Sequence, residues 1–301
     1  MNAAFPILAL SENNVGHPDP PPREAYCMTS FRHIRGWILL ALMALPAMGA
    51  LAVPASKDKA NIEPIEPEAR LLINEMGNYL REAKYMSFSA RIDFDDVLPS
   101  GQKISFAAST QFRLKRPNGI YVDQQAEVGH KQFWFDGQSI HLYEPETGNF
   151  AQETLKGNSD KALEFTINQL KFSPPLADFL TSDPAKTLLK SVVKGFVVGP
   201  SIVNGIPCRH LAFLDRLIDW QIWIEEGKLP LPRKLIITYK TLPNSPQYTA
   251  ILSDFDLISR LPDHLFNPQI PPSAVRLPFL KTAQMETKPK GKPAAREGVA
   301  P

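Results

Sequence analysis

Cysteine is scarce in this chain of 301 residues, which holds only Cys27 and Cys208. No C-x-x-C pair exists to bind zinc or to run thiol–disulfide exchange. An excess of either charge is also missing: 33 Lys and Arg face 31 Asp and Glu, a formal net charge of +2 at pH 7. That balance offers no basic track for nucleic acid and no strongly acidic surface. The sequence contains no G-x-S-x-G, no H-E-x-x-H and no Gly-rich phosphate loop. The expectation is therefore a protein that is not an enzyme, with no catalytic residue, no metal and no cofactor.

What is present begins with Met28–Ala52. Arg32 and Arg35 precede the apolar run Gly36-Trp37-Ile38-Leu39-Leu40-Ala41-Leu42-Met43-Ala44-Leu45, and Pro46 leads into small residues ending Ala50-Leu51-Ala52. A basic head, a short apolar stretch and an A-x-A site predict a secretory signal peptide cut between Ala52 and Val53. The predicted address is the periplasm, where ATP and NAD(P)H are not supplied. The alternative is an uncleaved anchor in the inner membrane facing the periplasm, since Gly36–Val53 is close to the shortest span that crosses a bilayer. Cleavage would leave no permanent membrane span. Residues 1–27 carry Pro18, Pro20, Pro21 and Pro22 and read either as a segment upstream of a true start at Met28 or as a disordered extension. Removal of the leader takes Cys27 with it and leaves Cys208 alone, so packing rather than a disulfide must hold the core. No lipobox cysteine stands at the cleavage site, which argues for a soluble rather than a lipid-tethered product.

The remainder divides into a Pro-containing linker, residues 53–66, a folded zone, residues 67–280, and a Lys-, Pro- and Ala-rich tail, residues 281–301, without apolar periodicity. Ala69, Leu72, Met76, Tyr79, Leu80 and Ala83 recur at helical spacing behind Pro67. Alternation then takes over: Phe88, Ala90, Ile92 and Phe94, then Ile104 through Leu114, then Ile120–Val128. Phe133-Trp134-Phe135 and Ile140-His141-Leu142 flank Asp136-Gly137, a hairpin signal. Lys161–Lys171, Pro175–Leu180 and Asp183–Leu189 read as helices. Strand patterns resume at Ser191 and continue to Phe255, and Pro262–Phe266 reads as a short closing helix. About ten or eleven strands with helices before and within the series predict an α+β fold. A sheet this large curls, and helices on its apolar face would complete a layer pair.

One long run carries a resemblance. Gly205-Ile206-Pro207-Cys208-Arg209-His210-Leu211-Ala212-Phe213, Asp219-Trp220-Gln221-Ile222-Trp223-Ile224-Glu225-Glu226-Gly227, Pro230-Leu231-Pro232-Arg233-Lys234 and Pro246-Gln247-Tyr248 resemble a family of predicted periplasmic proteins known only as domain of unknown function 2092. Phe135-Asp136-Gly137 and Pro175-Leu176-Ala177-Asp178-Phe179-Leu180 agree, so the resemblance spans nearly all of residues 67–275. The family is similar in architecture to the lipoprotein carriers LolA and LolB and to the sensor RseB. It implies one domain: an open half-barrel, a large curved antiparallel sheet with helices packed on its concave face. It brings no activity of its own.

On that frame the candidate cavity lining is Phe88, Phe94, Phe106, Phe112, Phe133, Phe135, Leu211, Phe213, Trp220 and Ile222. These residues would meet a lipid or the acyl chains of a lipoprotein between sheet and helices, or they would pack a dry core. An envelope sensor that engages a protein partner without a small ligand is the alternative function. Trp223 points away from Trp220 and Ile222, so it either covers the sheet against the Pro230-Leu231-Pro232 turn or is exposed for a partner. Cys208 and His210 share a strand face; the simple reading is a packed thiol and a hydrogen-bonded imidazole, with a reactive thiolate or a metal as rivals. Arg233 and Lys234 are expected to be solvated or paired with Asp219 or Glu225.

Overall fold

The computed structural model describes residues 64–279 apart from Lys171. The leader, the proposed cleavage site and the tail lie outside these described residues. The chain opens with helix α1 (Pro67–Glu82), which starts on Pro67, where a missing N–H costs nothing. Six strands follow: β1 (Tyr85–Val97), β2 (Lys103–Lys115), β3 (Gly119–Ala126), β4 (Gly129–Phe135), β5 (Ser139–Glu144) and β6 (Asn149–Thr154). Helices α2 (Ser159–Asn168), α3 (Ala177–Leu180) and α4 (Pro184–Leu189) come next. Strands β7 (Val192–Val203), β8 (Ile206–Asp215), β9 (Asp219–Glu225), β10 (Pro232–Thr238) and β11 (Gln247–Asp256) complete the second series. A 3₁₀ turn (Asp263–Phe266) and β12 (Val275–Arg276) close the described chain.

The strands of the described residues form one twelve-stranded sheet in the order β12-β6-β5-β4-β3-β2-β1-β11-β10-β9-β8-β7. Two meanders are joined where β1 pairs antiparallel with β11. Because β6 and β7 lie near opposite edges, the chain between them must cross the sheet, and it carries α2, α3 and α4 with it. This is the expected α+β half-barrel with two corrections. The sheet has one strand more than expected, and that strand, β12, pairs parallel to β6. Two residues show no alternation, so β12 leaves no periodic signal.

The alternating residues of both meanders face the helices and join them in one continuous core, which includes Ile73, Met76 and Leu80 of α1 and Leu188 of α4. We call this helix-covered side concave. In α1 the buried stripe includes Ile73 and Gly77, while the expected Leu72 and Tyr79 are only partly buried. Gly77 is where α1 presses on α4: a Cβ built there falls 2.5 Å from the Cβ of Ala185. The Asp136-Gly137 hairpin forms as expected. Asp136 Oδ1 accepts from the backbone N–H groups of Gln138 and Ser139, both at 2.8 Å, and Gly137 has φ 90°, a conformation that favours glycine.

The opposite, convex face carries two smaller apolar clusters. Tyr121, Trp134 and Tyr143 are roofed by Phe266 and the segment after β11. Val203, Cys208 and Trp223 form the second cluster.

Candidate functional site

Strand register places the candidate lining residues on one side. Phe88 pairs with Phe112, Phe112 with Val122, Val122 with Phe133, and Phe133 with Leu142. In the second meander Leu211 pairs with Ile222 and Phe213 with Trp220. Side chains that face each other across antiparallel strands share a face, so Phe88, Phe94, Phe106, Phe112, Phe133, Phe135, Leu211, Phe213, Trp220 and Ile222 all look toward the helices. All belong to the core except Phe106, which is half-buried and packs against it.

They are not equivalent there. Phe213 stacks on Trp220 with centroids 4.1 Å apart, and neither is more than 1% exposed. Phe88 stacks on Phe112 at 4.4 Å. Phe94 and Phe106 meet at 5.8 Å, nearer the tip of the β1–β2 hairpin. Phe133, by contrast, lines a pocket of about 40 Å³. Its floor is Val122, Phe133 and Leu142, and its cover is Phe172, Pro174 and Pro175. Phe172 meets Phe133 edge-on at 5.9 Å and stacks on Phe279 at 6.2 Å. The cover is a segment that periodicity could not reveal, because it is a loop. Pro174 and Pro175 have no N–H to donate to a strand, so they meet the sheet through side chains.

Polar groups interrupt this apolar face beside the pocket. Gln124 and Lys131, paired across β3 and β4, form its rim with Ser173. Lys131 Nζ lies 3.6 Å from Glu144 Oε1. Thr110, opposite Gln124 on β2, is fully buried, and its hydroxyl has no hydrogen-bond partner. A separate polar spot involves Asp178 of α3 with Tyr239 and Tyr248. Burial pushes the Asp178 carboxyl above its ordinary range. Burial first, and then the neighbouring Asp178 carboxyl, push Tyr239 up to about 12. Burial also holds Tyr248 far above its usual value, and its hydroxyl lacks a partner.

Trp223 requires a correction. As an exposed docking aromatic it fails, because it is only 7% exposed. His210 stacks on its ring at 4.0 Å, Lys234 Nζ lies 4.6 Å from the ring centroid, and its indole N–H donates to Ser201 Oγ at 3.1 Å. Neighbouring strands supply this cover, which single-strand alternation does not show. His210 Nε2 is 2.9 Å from Gln221 Oε1, and burial lowers its basicity. Cys208 is fully buried; its Sγ approaches the Ile206 carbonyl at 3.3 Å, and burial pushes the thiol up, away from thiolate chemistry. Arg233 Nε donates to Glu225 Oε2 at 2.8 Å, one of the expected pairings.

One Ser-His-Asp grouping does assemble, on the convex face. Ser139 Oγ is 2.9 Å from His141 Nε2 and 3.4 Å from the Asp136 carboxylate. The contacts run in the wrong order for an activated serine, which needs the carboxylate on the far imidazole nitrogen. Here the carboxylate touches the serine, and His141 Nδ1 is buried without a partner. Among the described residues no group of three or more His, Cys, Asp or Glu is arranged to hold a metal ion, and no helix is long and apolar enough to cross a membrane.

Several solved structures are similar to the chain at low sequence identity. An uncharacterized conserved protein from Thermus thermophilus is 8% identical, covering 70% of this chain and 99% of its own, with a TM-score of 0.42. The lipoprotein LppX of Mycobacterium tuberculosis is 10% identical, covering 65% and 98%, with a TM-score of 0.41. A LolA superfamily protein from Nitrosomonas europaea is 11% identical, covering 66% and 98%, with a TM-score of 0.34. No curated protein matches the chain. Residues 69–280 match the family described as "Predicted periplasmic protein (DUF2092)", and the chain belongs to that family.

Proposed function

We propose that this periplasmic protein is a binding protein that holds an apolar ligand, a lipid or the acyl chains of a lipoprotein, between its sheet and the elements crossing it. The observation that carries this reading is the pocket over Val122, Phe133 and Leu142, covered by Phe172, Pro174 and Pro175. At about 40 Å³ it is far below the roughly 300–1,000 Å³ typical of ligand sites. A chain therefore enters by displacing the Phe172–Pro175 cover and takes over its apolar contacts. Each methylene buried would contribute about 0.8 kcal/mol, which offsets the loss of the cover's own packing. Transfer driven by burial alone suits a compartment without ATP.

Protein purified from the periplasm tests the reading through native mass spectrometry and organic extraction. Acyl lipid that co-purifies at a fixed stoichiometry supports a carrier. Lipid-free protein that instead retains a defined envelope protein favours the sensor.

A further inference from the structure

Resting on the binding reading above, we infer that the ligand is an amphiphile whose head carries anionic oxygens, its chain over Phe133 and its head against Gln124, Lys131 and Thr110. Three observations converge. The first is position: Thr110 faces Gln124 across β2 and β3, and Gln124 faces Lys131 across β3 and β4. They make one polar row on this face, continued on β5 by Glu144, one step along the strands from the Phe112–Val122–Phe133–Leu142 row. A dry core has no need of such a row, since each polar group inside must be hydrogen-bonded or pay for its desolvation.

The second is the unsatisfied hydroxyl. Thr110 is 0% exposed and its Oγ1 has no partner. Leaving a buried hydroxyl unmatched costs about 1–3 kcal/mol, a cost that an acceptor oxygen in its vicinity would remove. The third is the donor set. Lys131 and Gln124 line the same pocket whose floor is Val122, Phe133 and Leu142. Lys131 already has Glu144 at 3.6 Å, but an ammonium has three donors and can serve more than one acceptor. Gln124 supplies an amide N–H₂ and Thr110 an O–H. This set matches the oxygens of a carboxylate or a phosphate better than an uncharged hydroxyl, because hydrogen bonds to an ionised acceptor are about twice as strong.

The carboxylate of a fatty acid and the phosphate of a phospholipid share this chemistry, and binding measurements separate them. The full chain, purified from the periplasm and stripped of bound lipid, is titrated with palmitate, palmitoyl lysophosphatidylglycerol and uncharged monopalmitin, each displacing a fluorescent apolar probe. At least one acidic ligand is expected to bind about tenfold more tightly than monopalmitin, the increment of one charge-assisted hydrogen bond. Palmitate ahead points to a fatty acid, and the lysolipid ahead points to a phospholipid. Lys131→Met should remove the preference, so that the acidic ligands and monopalmitin bind within about twofold of one another. Thr110→Val should weaken the preferred acidic ligand severalfold, with thermal unfolding confirming that both variants fold. Equal binding of all three ligands, or a Lys131→Met protein that keeps the preference, overturns this inference and leaves the apolar binding site standing. Binding of none of the three overturns the binding reading itself and this inference with it.

Discussion

On β8 and β9 the concave face is sealed: Leu211, Phe213, Trp220 and Ile222 are at most 1% exposed, and Phe213 and Trp220 stack at 4.1 Å. On β3, β4 and β5 the same face, with the same alternation, ends in a pocket beneath a proline loop. The difference lies in what crosses each half. Helix α1 packs on β7 and α4, and a Cβ built on Gly195 would fall 2.4 Å from the Phe213 ring, so backbone and side chains close tightly at that end. The other half is covered by Phe172–Pro175, whose prolines cannot hydrogen-bond to a strand through an N–H. The same alternation of apolar side chains thus makes a core at one end and a candidate binding surface at the other.

Truncation should break the two halves unequally. Phe213→Ala or Trp220→Ala removes a stacked, fully buried ring and should cost about 3–5 kcal/mol, read from urea unfolding at equilibrium. Phe133→Ala should cost less, near the low end of that range or below it, because the pocket beside it lets the site relax. It should nonetheless be the variant that loses co-purifying lipid. Equal losses of stability would mean that the two halves are packed alike.

A smaller effect is expected at the seam of the sealed half. Gly77→Ala places a methyl 2.5 Å from the Ala185 Cβ and 2.7 Å from its backbone nitrogen. Separating α1 from α4 to relieve this should cost about 1–3 kcal/mol, visible as a lower Tm, while lipid retention persists. Loss of lipid at unchanged Tm would show that the sealed half also takes part in binding.

Acid should act on the convex face before the concave one. Burial holds both His141 and His210 below the ordinary imidazole value of 6.5. The unfolded chain then binds more protons than the native one, so their contribution to stability is complete above about pH 6.5 and declines as pH falls below it. His210→Gln should flatten that decline in urea midpoints measured between pH 7.5 and 5, and an unchanged slope would remove His210 as its source. Cys208→Ser should change least, about 1–2 kcal/mol at most, for a hydroxyl in an apolar site. Lipid retention should be unaffected, and the wild-type thiol should resist Ellman's reagent until the protein unfolds.

Alternation within single strands was enough to assign Phe88, Phe112, Phe133, Phe213 and Trp220 to one face, because a period of two is a property of the backbone. The cover of Trp223 was not legible, since His210, Ser201 and Lys234 come from neighbouring strands. The polar row was hidden for the same reason: Thr110, Gln124 and Lys131 lie on three successive strands and align only through register. Phe172–Pro174 carry no periodicity, the helix expected from Pro175 begins only at Ala177, and a loop's position depends on the elements it joins. β12 is too short to carry a pattern.

The central claim is that ligand occupies the β3–β5 half of the concave face. A palmitate bearing a diazirine on its chain, photolysed in complex with the full chain and mapped by peptide mass spectrometry, addresses it directly. The account predicts adducts on peptides containing Val122, Phe133, Leu142 or Phe172. Adducts concentrated on Leu211–Ile222, or on the convex segment around Phe266, would contradict it.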